Sequence, residues 1–72
     1  MALRMLAKDE TSGRDHCPSV YVEDSGFGVV QGELLDDAGA AQLENVLPGE
    51  GAVRIRMDVL EAAVRRYHEG PR

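Results

Sequence analysis

The sequence predicts an α+β fold, a small three-stranded and mainly antiparallel sheet with a C-terminal helix on one face and a short helix between strands 2 and 3. Three observations predict it. Apolar and polar side chains alternate with a period of two at residues 19–23 and 52–57, and apolar side chains recur at helical spacing over residues 58–69. The third is length, because 72 residues leave room for one small core.

Polar, aperiodic residues separate the start of the chain from this pattern. Residues 9–16 contain a glycine and no apolar repeat, which is typical of a flexible segment. We therefore predict a flexible N-terminal leader over residues 1–16 and a single domain over residues 17–70. The apolar stretch at the start is too short and too interrupted for a secretory signal peptide.

The first two strands are predicted as a hairpin. Residues 19–23 combine β-branched and aromatic side chains, residues 24–26 supply a turn, and residues 27–34 return as the second strand. Gly28 and Gly32 lie on one face of that strand. They indicate a bulge or the close approach of another backbone, or they are simply tolerated in a short strand.

The short helix is predicted between Asp36 and Leu47, with Asp36 or Asp37 as its N-cap, although Gly39 weakens its helix propensity. A turn at residues 48–51 ends it. The third strand then spans Ala52–Met57, with Val53, Ile55 and Met57 on one face and Arg54 and Arg56 on the other.

The C-terminal helix has the clearest start and stop. Asp58 is predicted to cap it, and Glu61 follows three residues later as in a capping box. Gly70 and Pro71 end it. Its predicted apolar face consists of Leu60, Ala63, Val64 and Tyr67.

Charge is strongly segregated along the chain. Five arginines crowd into residues 54–72, whereas residues 17–50 hold seven acidic residues and no Lys or Arg: Glu23, Asp24, Glu33, Asp36, Asp37, Glu44 and Glu50. The formal net charge of -5 disfavours nucleic acid as the main partner, because phosphate contacts need clustered positive charge.

Residues with the spacing of an active site are not found in the sequence. His16 and Cys17 are neighbours, but adjacent side chains of an extended chain point to opposite faces, which opposes nucleophilic catalysis. One cysteine and two distant histidines, His16 and His68, match no zinc pattern. The glycines match no phosphate-binding loop. We predict a non-enzymatic protein without metal or cofactor.

The cellular compartment is predicted from the number of cysteines and from the length of the apolar runs. A single cysteine cannot form an intrachain disulfide, and no apolar run is long enough to span a membrane. We expect a cytoplasmic protein with no membrane partner. Cys17 is predicted to be a buried structural thiol, and a redox-sensitive or dimer-linking thiol is the alternative.

Two groups of charged residues have competing interpretations. Asp36 and Asp37 are interpreted as cap residues rather than as a catalytic carboxylate pair. The arginines form either a basic patch that grips phosphate or carboxylates, or a solvated face balanced by nearby acids; the second is favoured because Asp58, Glu61 and Glu69 dilute the patch. The four arginines are Arg54, Arg56, Arg65 and Arg66.

Three short motifs occur in order along the chain: Cys17-Pro18-x-Val20-Tyr21, Val29-Val30-Gln31-Gly32 and Pro48-Gly49-Glu50-x-x-Val53-x-Ile55. Through these motifs, about residues 17–64 resemble small actinobacterial proteins of unknown function, often encoded beside helix-turn-helix regulators, in the circle of the BldB and WhiJ-cluster developmental proteins. The resemblance implies a non-enzymatic accessory protein that binds a regulator or associates with itself.

The leading hypothesis is a small interaction module whose acidic surface docks onto a basic protein, such as a DNA-binding regulator. Because so small a core gives marginal stability, we also expect a homodimer. The alternative is direct nucleic-acid binding through the four arginines. The acidic surface is assigned to Glu33, Asp36, Asp37 and Glu44.

Overall fold

The computed structural model describes residues 2–10 and 17–70. The elements, in chain order, are β1 (Leu3–Lys8), β2 (Ser19–Glu23), β3 (Gly28–Gln31), β4 (Glu33–Leu34), α1 (Asp37–Ala40), β5 (Val53–Arg54) and α2 (Met57–Glu69). An antiparallel three-stranded sheet has the order β1-β2-β3, and α2 packs on it. The predicted α+β class is confirmed.

The first strand of the sheet lies in the segment predicted to be a flexible leader, so that prediction is wrong for residues 3–8. Leu3 pairs with Glu23 and Lys8 with Ser19 in an antiparallel ladder. A bulge between Met5 and Ala7 shifts the register, and Leu6 and Ala7 both pack against the core. The polar residues that suggested a leader belong to the connection after β1, of which residues 11–16 lie outside the described residues.

The predicted hairpin is confirmed. Ser19–Glu23 forms β2, and the chain turns at Gly26, whose φ of +97° suits a residue without a side chain. Val20 pairs with Val30 and Tyr21 with Val29. On the sheet face opposite α2, the Tyr21 hydroxyl donates to Gln31 Oε1 at 2.9 Å.

The second predicted strand divides at Gly32, where the chain leaves the first sheet. A Cβ at Gly32 would lie 2.7 Å from the Arg54 carbonyl oxygen, so glycine permits the close approach of another backbone, as one of the two interpretations held. Glu33 and Leu34 then pair with Arg54 and Val53 in a separate two-stranded ladder.

The elements between β3 and α2 are shorter than predicted. Asp36 is the N-cap of α1, as expected, but the helix ends at Ala40 rather than near Leu47. A short helix in a protein depends on buried side chains for its stability. Because α1 buries none, it extends over only four residues. The predicted strand at residues 52–57 is reduced to Val53–Arg54, since Met57 already begins α2.

The core is formed where α2 crosses β1 and β2. Val20, Val59 and Ala63 are buried at 6%, 7% and 2% exposure, with Leu6, Ala7, Ile55 and Leu60 packed around them. Asp58 does not cap α2, because Arg56 occupies the N-cap position and its guanidinium holds the Asp58 carboxylate. Within residues 2–10 and 17–70, no helix is long and apolar enough to cross a membrane.

Replacing Gly32 with Ala is expected to weaken the β4–β5 ladder by about 1 to 3 kcal/mol, because the new methyl group would displace the Arg54 backbone. Amide hydrogen exchange of β4 and β5, compared with that of β2, measures the effect. Gly51→Ala is the control, since nothing lies within 4 Å of its Cβ position. Equal protection of β4 and β5 in the two variants would contradict the close approach at Gly32.

Candidate interaction surface

The segment between β3 and α2 comprises residues 32–55; we call it the acidic arm. Its strands β4 and β5 contact chiefly each other, and Ile55 at its end packs against the core. None of its residues is fully buried. It consists of β4, α1, the loop after α1 and β5, and its main internal tie is the β4–β5 ladder. An extra hydrogen bond joins the Leu35 amide to the Ala52 carbonyl at 3.4 Å.

The four predicted acidic residues all lie on the arm and are all exposed. Glu33 faces Arg54 across the β4–β5 ladder, with 3.6 Å between the carboxylate and the guanidinium. Asp36 accepts a hydrogen bond from the Gly39 amide at 2.8 Å and so caps α1. Asp37 lies in the first turn of α1, and Glu44 lies in the loop that follows.

Apolar side chains are interspersed with these acids. Leu34 is 76% exposed, Leu47 62% and Val46 50%. Each lies within a few residues of a carboxylate along the chain. The arm therefore exposes both acidic and apolar side chains.

The structure does not bring the four predicted arginines together. Arg56 precedes α2 and Arg65 lies within its last turns, which separates them by about 14 Å of helical rise. Arg54, Arg56 and Arg66 each contact a carboxylate, at 3.6 Å from Glu33, 3.0 Å from Asp58 and 3.5 Å from Glu69. Local acids thus offset much of the positive charge, as the favoured interpretation held.

The predicted environment of Cys17 is wrong. Its thiol is exposed, whereas its neighbours Pro18 and Ser19 are buried, because the chain enters the core only with β2. The Ser19 hydroxyl donates to the Cys17 carbonyl at 3.0 Å. In the described part of the chain, no group of His, Cys, Asp and Glu residues is arranged to hold a metal ion. His16 lies outside that part.

A second surface feature, missed in the sequence, is an apolar groove beside α2, with a volume of about 240 Å³. It lies between α2, strands β1 and β2, and the turn that leads into β3. The helical spacing of apolar residues in α2 predicts an apolar face, but it does not predict how much of that face the sheet covers. The groove is lined chiefly by Leu6, Val20, Val22, Leu60, Val64 and Tyr67.

The ion pair at the start of α2 has a defined geometry. The Arg56 guanidinium donates from Nε to Asp58 Oδ1 at 3.2 Å and from Nη2 to Oδ2 at 3.0 Å. Hydrogen bonding to Arg56, together with its positive charge, lowers the pKa of Asp58. Hydrogen bonding to Asp58, together with its negative charge, raises the pKa of Arg56. The pair is exposed, so it orients the start of the helix more than it stabilises the fold.

Comparison of the chain with models of protein families, with curated proteins and with solved structures finds no match. Two surfaces, the acidic arm and the apolar groove, are the candidates for a function of this chain.

The pKa of Asp58 is expected to lie below its ordinary value of 3.8, and Arg56→Gln should return it towards that value. A lowered pKa in the folded state means that the ionised carboxylate adds stability above the unfolded-state pKa. That contribution is lost as the pH falls through the folded-state pKa. Carbon-detected NMR titration of the Asp58 side chain in both proteins measures the shift; identical titration curves would show that Arg56 does not hold the carboxylate in solution.

Proposed function

We propose that this chain is a non-enzymatic protein-interaction module whose acidic arm docks onto a basic protein. One observation carries the proposal: exposed carboxylates and exposed apolar side chains are interspersed along a segment in which no residue is fully buried. A segment of this kind contributes little to the stability of its own domain, whereas burial of its apolar surface in a complex is favourable by about 25 cal/mol per Å².

The two kinds of side chain have different tasks in such a complex. Leu34, Val46 and Leu47 would supply apolar contact area at the centre. Asp37 and Glu44 would steer a positively charged partner towards the arm and reject acidic ones. The partner chemistry that fits is a basic surface with an apolar cleft.

The proposed partner is a DNA-binding regulator, and the proposed setting is the cytoplasm. DNA-binding proteins carry basic surfaces as a rule, which complement the arm in charge. The resemblance of residues 17–64 to proteins encoded beside helix-turn-helix regulators supports the same partner. On this proposal the module acts as an accessory to the regulator, without a cofactor.

Reversing charge on the arm is expected to abolish capture of a basic protein from a lysate of the source organism. The test variant is Asp37→Lys with Glu44→Lys, because neither residue is joined to an arginine in the described ion pairs. The matched control, Glu23→Lys with Asp24→Lys, changes the net charge equally at the end of β2 and the first residue of the turn that follows. Captured proteins are identified by mass spectrometry and titrated in purified form at low and moderate salt.

The expected result is a basic partner that binds the wild-type chain and the control variant, binds more weakly as salt rises, and is lost with the arm variant. Equal binding by both variants, or binding that does not respond to salt, would contradict docking through the acidic arm.

Direct binding of nucleic acid through Arg54, Arg56, Arg65 and Arg66 is the second candidate function. It requires positive charge that is not offset by neighbouring acids, and three of these residues have carboxylate partners. In gel-shift titrations with duplex and single-stranded DNA at low salt, we therefore expect no complex tighter than about 10⁻⁴ M, the weak end of non-specific binding. A tighter complex that Arg65→Ala weakens would favour this function over protein docking.

A further inference from the structure

We propose that the open edge of β3 binds an extended, basic segment of a partner protein as an additional strand of the sheet. The inference rests on the proposed function, because it names the form in which the basic partner is held next to the acidic arm. Three features support it: the backbone groups that β3 turns outward, the contrast between the two edges of the sheet, and the charge around β3.

The backbone of β3 has hydrogen-bonding groups that point away from its own sheet. Residues of an antiparallel ladder alternate between hydrogen-bonded and non-hydrogen-bonded positions. The Glu23 amide donates to the Phe27 carbonyl at 2.8 Å, which makes that pair hydrogen-bonded and sets the alternation along the hairpin. Gly28 and Val30 therefore occupy non-hydrogen-bonded positions of the ladder with β2, and the N–H and C=O groups of both residues point outward.

The edge formed by these groups is open and well held. Both Gly28 and Val30 are exposed, and β3 contacts chiefly β2. Within residues 2–10 and 17–70, no backbone hydrogen bond from another segment reaches either residue. The Tyr21 hydroxyl donates to Gln31 Oε1 at 2.9 Å, which ties the end of β3 to β2. The edge thus presents two donors and two acceptors in the extended form that an added strand requires.

The other edge of the sheet carries features that oppose strand addition, and β3 lacks them. Proteins commonly protect an edge strand with a bulge or with charged side chains, Lys above all. Strand β1 has both, because a bulge between Met5 and Ala7 interrupts its ladder and Lys8 is exposed. The register of β2 with β3 is continuous, and Gly28–Gln31 contains neither a charged residue nor proline. Strand addition is therefore expected at β3.

The charge around β3 selects a basic segment. The strand lies within residues 17–50, which contain seven acidic residues and no Lys or Arg. Asp24 is exposed in the turn before β3, and the acidic arm begins directly after it at Gly32. Lys or Arg side chains on an added strand would therefore meet acidic surroundings at both of its ends.

A second copy of the chain fits this edge less well than a basic segment does. Two β3 strands placed side by side would bring two acidic surroundings together, which like-charge repulsion opposes. Strand β1, which carries Arg4 and Lys8, is interrupted by its bulge. Its addition to the β3 of another copy would also be head-to-tail, an arrangement that does not close into a dimer.

The side chains beside the edge indicate the pattern of the added segment. A residue directly opposite Val30 would share its face of the sheet, the α2 side, where Val30 is 39% exposed. An apolar side chain fits there. The next residue would lie on the opposite face, where Gln31 is exposed, and a Lys or Arg side chain fits at that position. The segment is therefore expected to alternate apolar and basic residues.

A short synthetic peptide of alternating valine and lysine is the probe, and amide hydrogen exchange of the full chain at low salt is the measurement. At saturation, we expect exchange to slow by at least about 10-fold at the amides of Gly28 and Val30, because each gains a hydrogen bond. The same peptide N-methylated at its valines keeps its charge but loses the donors that face β3. It should bind at least about 10-fold more weakly, whereas N-methylation at the lysines should be tolerated.

A variant of the chain tests the same edge from the other side. Val30→Pro removes an outward N–H, and proline is accepted on an edge strand where that group faces solvent. Val30→Ala is the matched control, since it also shortens the side chain but keeps the amide. We expect the peptide to bind Val30→Ala and not Val30→Pro, with the helical circular dichroism signal retained in both. The methylated peptides on the wild-type chain decide the matter if Val30→Pro is unfolded.

Several results would overturn the proposal. They are a peptide that does not bind the wild-type chain, equal binding by the parent and both methylated peptides, and protection that appears on the acidic arm but not at Gly28 and Val30. Self-association of the wild-type chain in sedimentation, if Val30→Pro abolished it, would assign the edge to a second copy instead.

The partner captured through the acidic arm separates this proposal from the proposed function. Capture that is lost with Asp37→Lys and Glu44→Lys but unchanged with Val30→Pro would overturn strand addition and leave arm docking in place. Peptide binding that depends on the edge, together with capture that the arm variant does not affect, would support strand addition and contradict arm docking.

Discussion

The contact on which the rest of the structure depends is the packing of Ala63 and Val59 of α2 against Val20 of β2. Ala63 has a small side chain and is only 2% exposed, so the helix backbone approaches the sheet closely at that point. This approach lets Leu6, Leu60 and Ile55 pack around the contact. With so few buried side chains, the domain has a small hydrophobic gain to set against chain entropy.

The placement of the core also decides what remains outside it. Because α2 packs chiefly on β1 and β2, β3 forms an open edge of the sheet, and the chain leaves from that edge into the acidic arm. The arm packs against the core through Ile55 at its end, and its own ladder consists of two residues on each side. The open edge at β3 therefore reflects one asymmetry, the position of α2 over β1 and β2.

The sequence allowed parts of this architecture to be predicted where local pattern and final environment agree. The alternation of side chains in the sequence Ser19–Glu23 correctly predicts a strand, because Val20 and Val22 are buried while Tyr21 faces the other side of the sheet. Asp36 caps α1 because that interaction is local. The strand at Leu3–Lys8 was missed because a bulge breaks its alternation. The cap at Asp58 was misplaced because a guanidinium two residues away binds its carboxylate. The groove depends on the lateral position of α2, which no local pattern encodes.

The sheet order places the first strand of the chain beneath its last helix. Leu6 and Ala63 belong to one core but lie at opposite ends of the sequence. During synthesis, the hairpin of β2 and β3 would leave the ribosome well before α2, and its apolar face would have no cover until α2 had followed. The core is therefore expected to assemble in one step once α2 has emerged, rather than progressively as each strand appears.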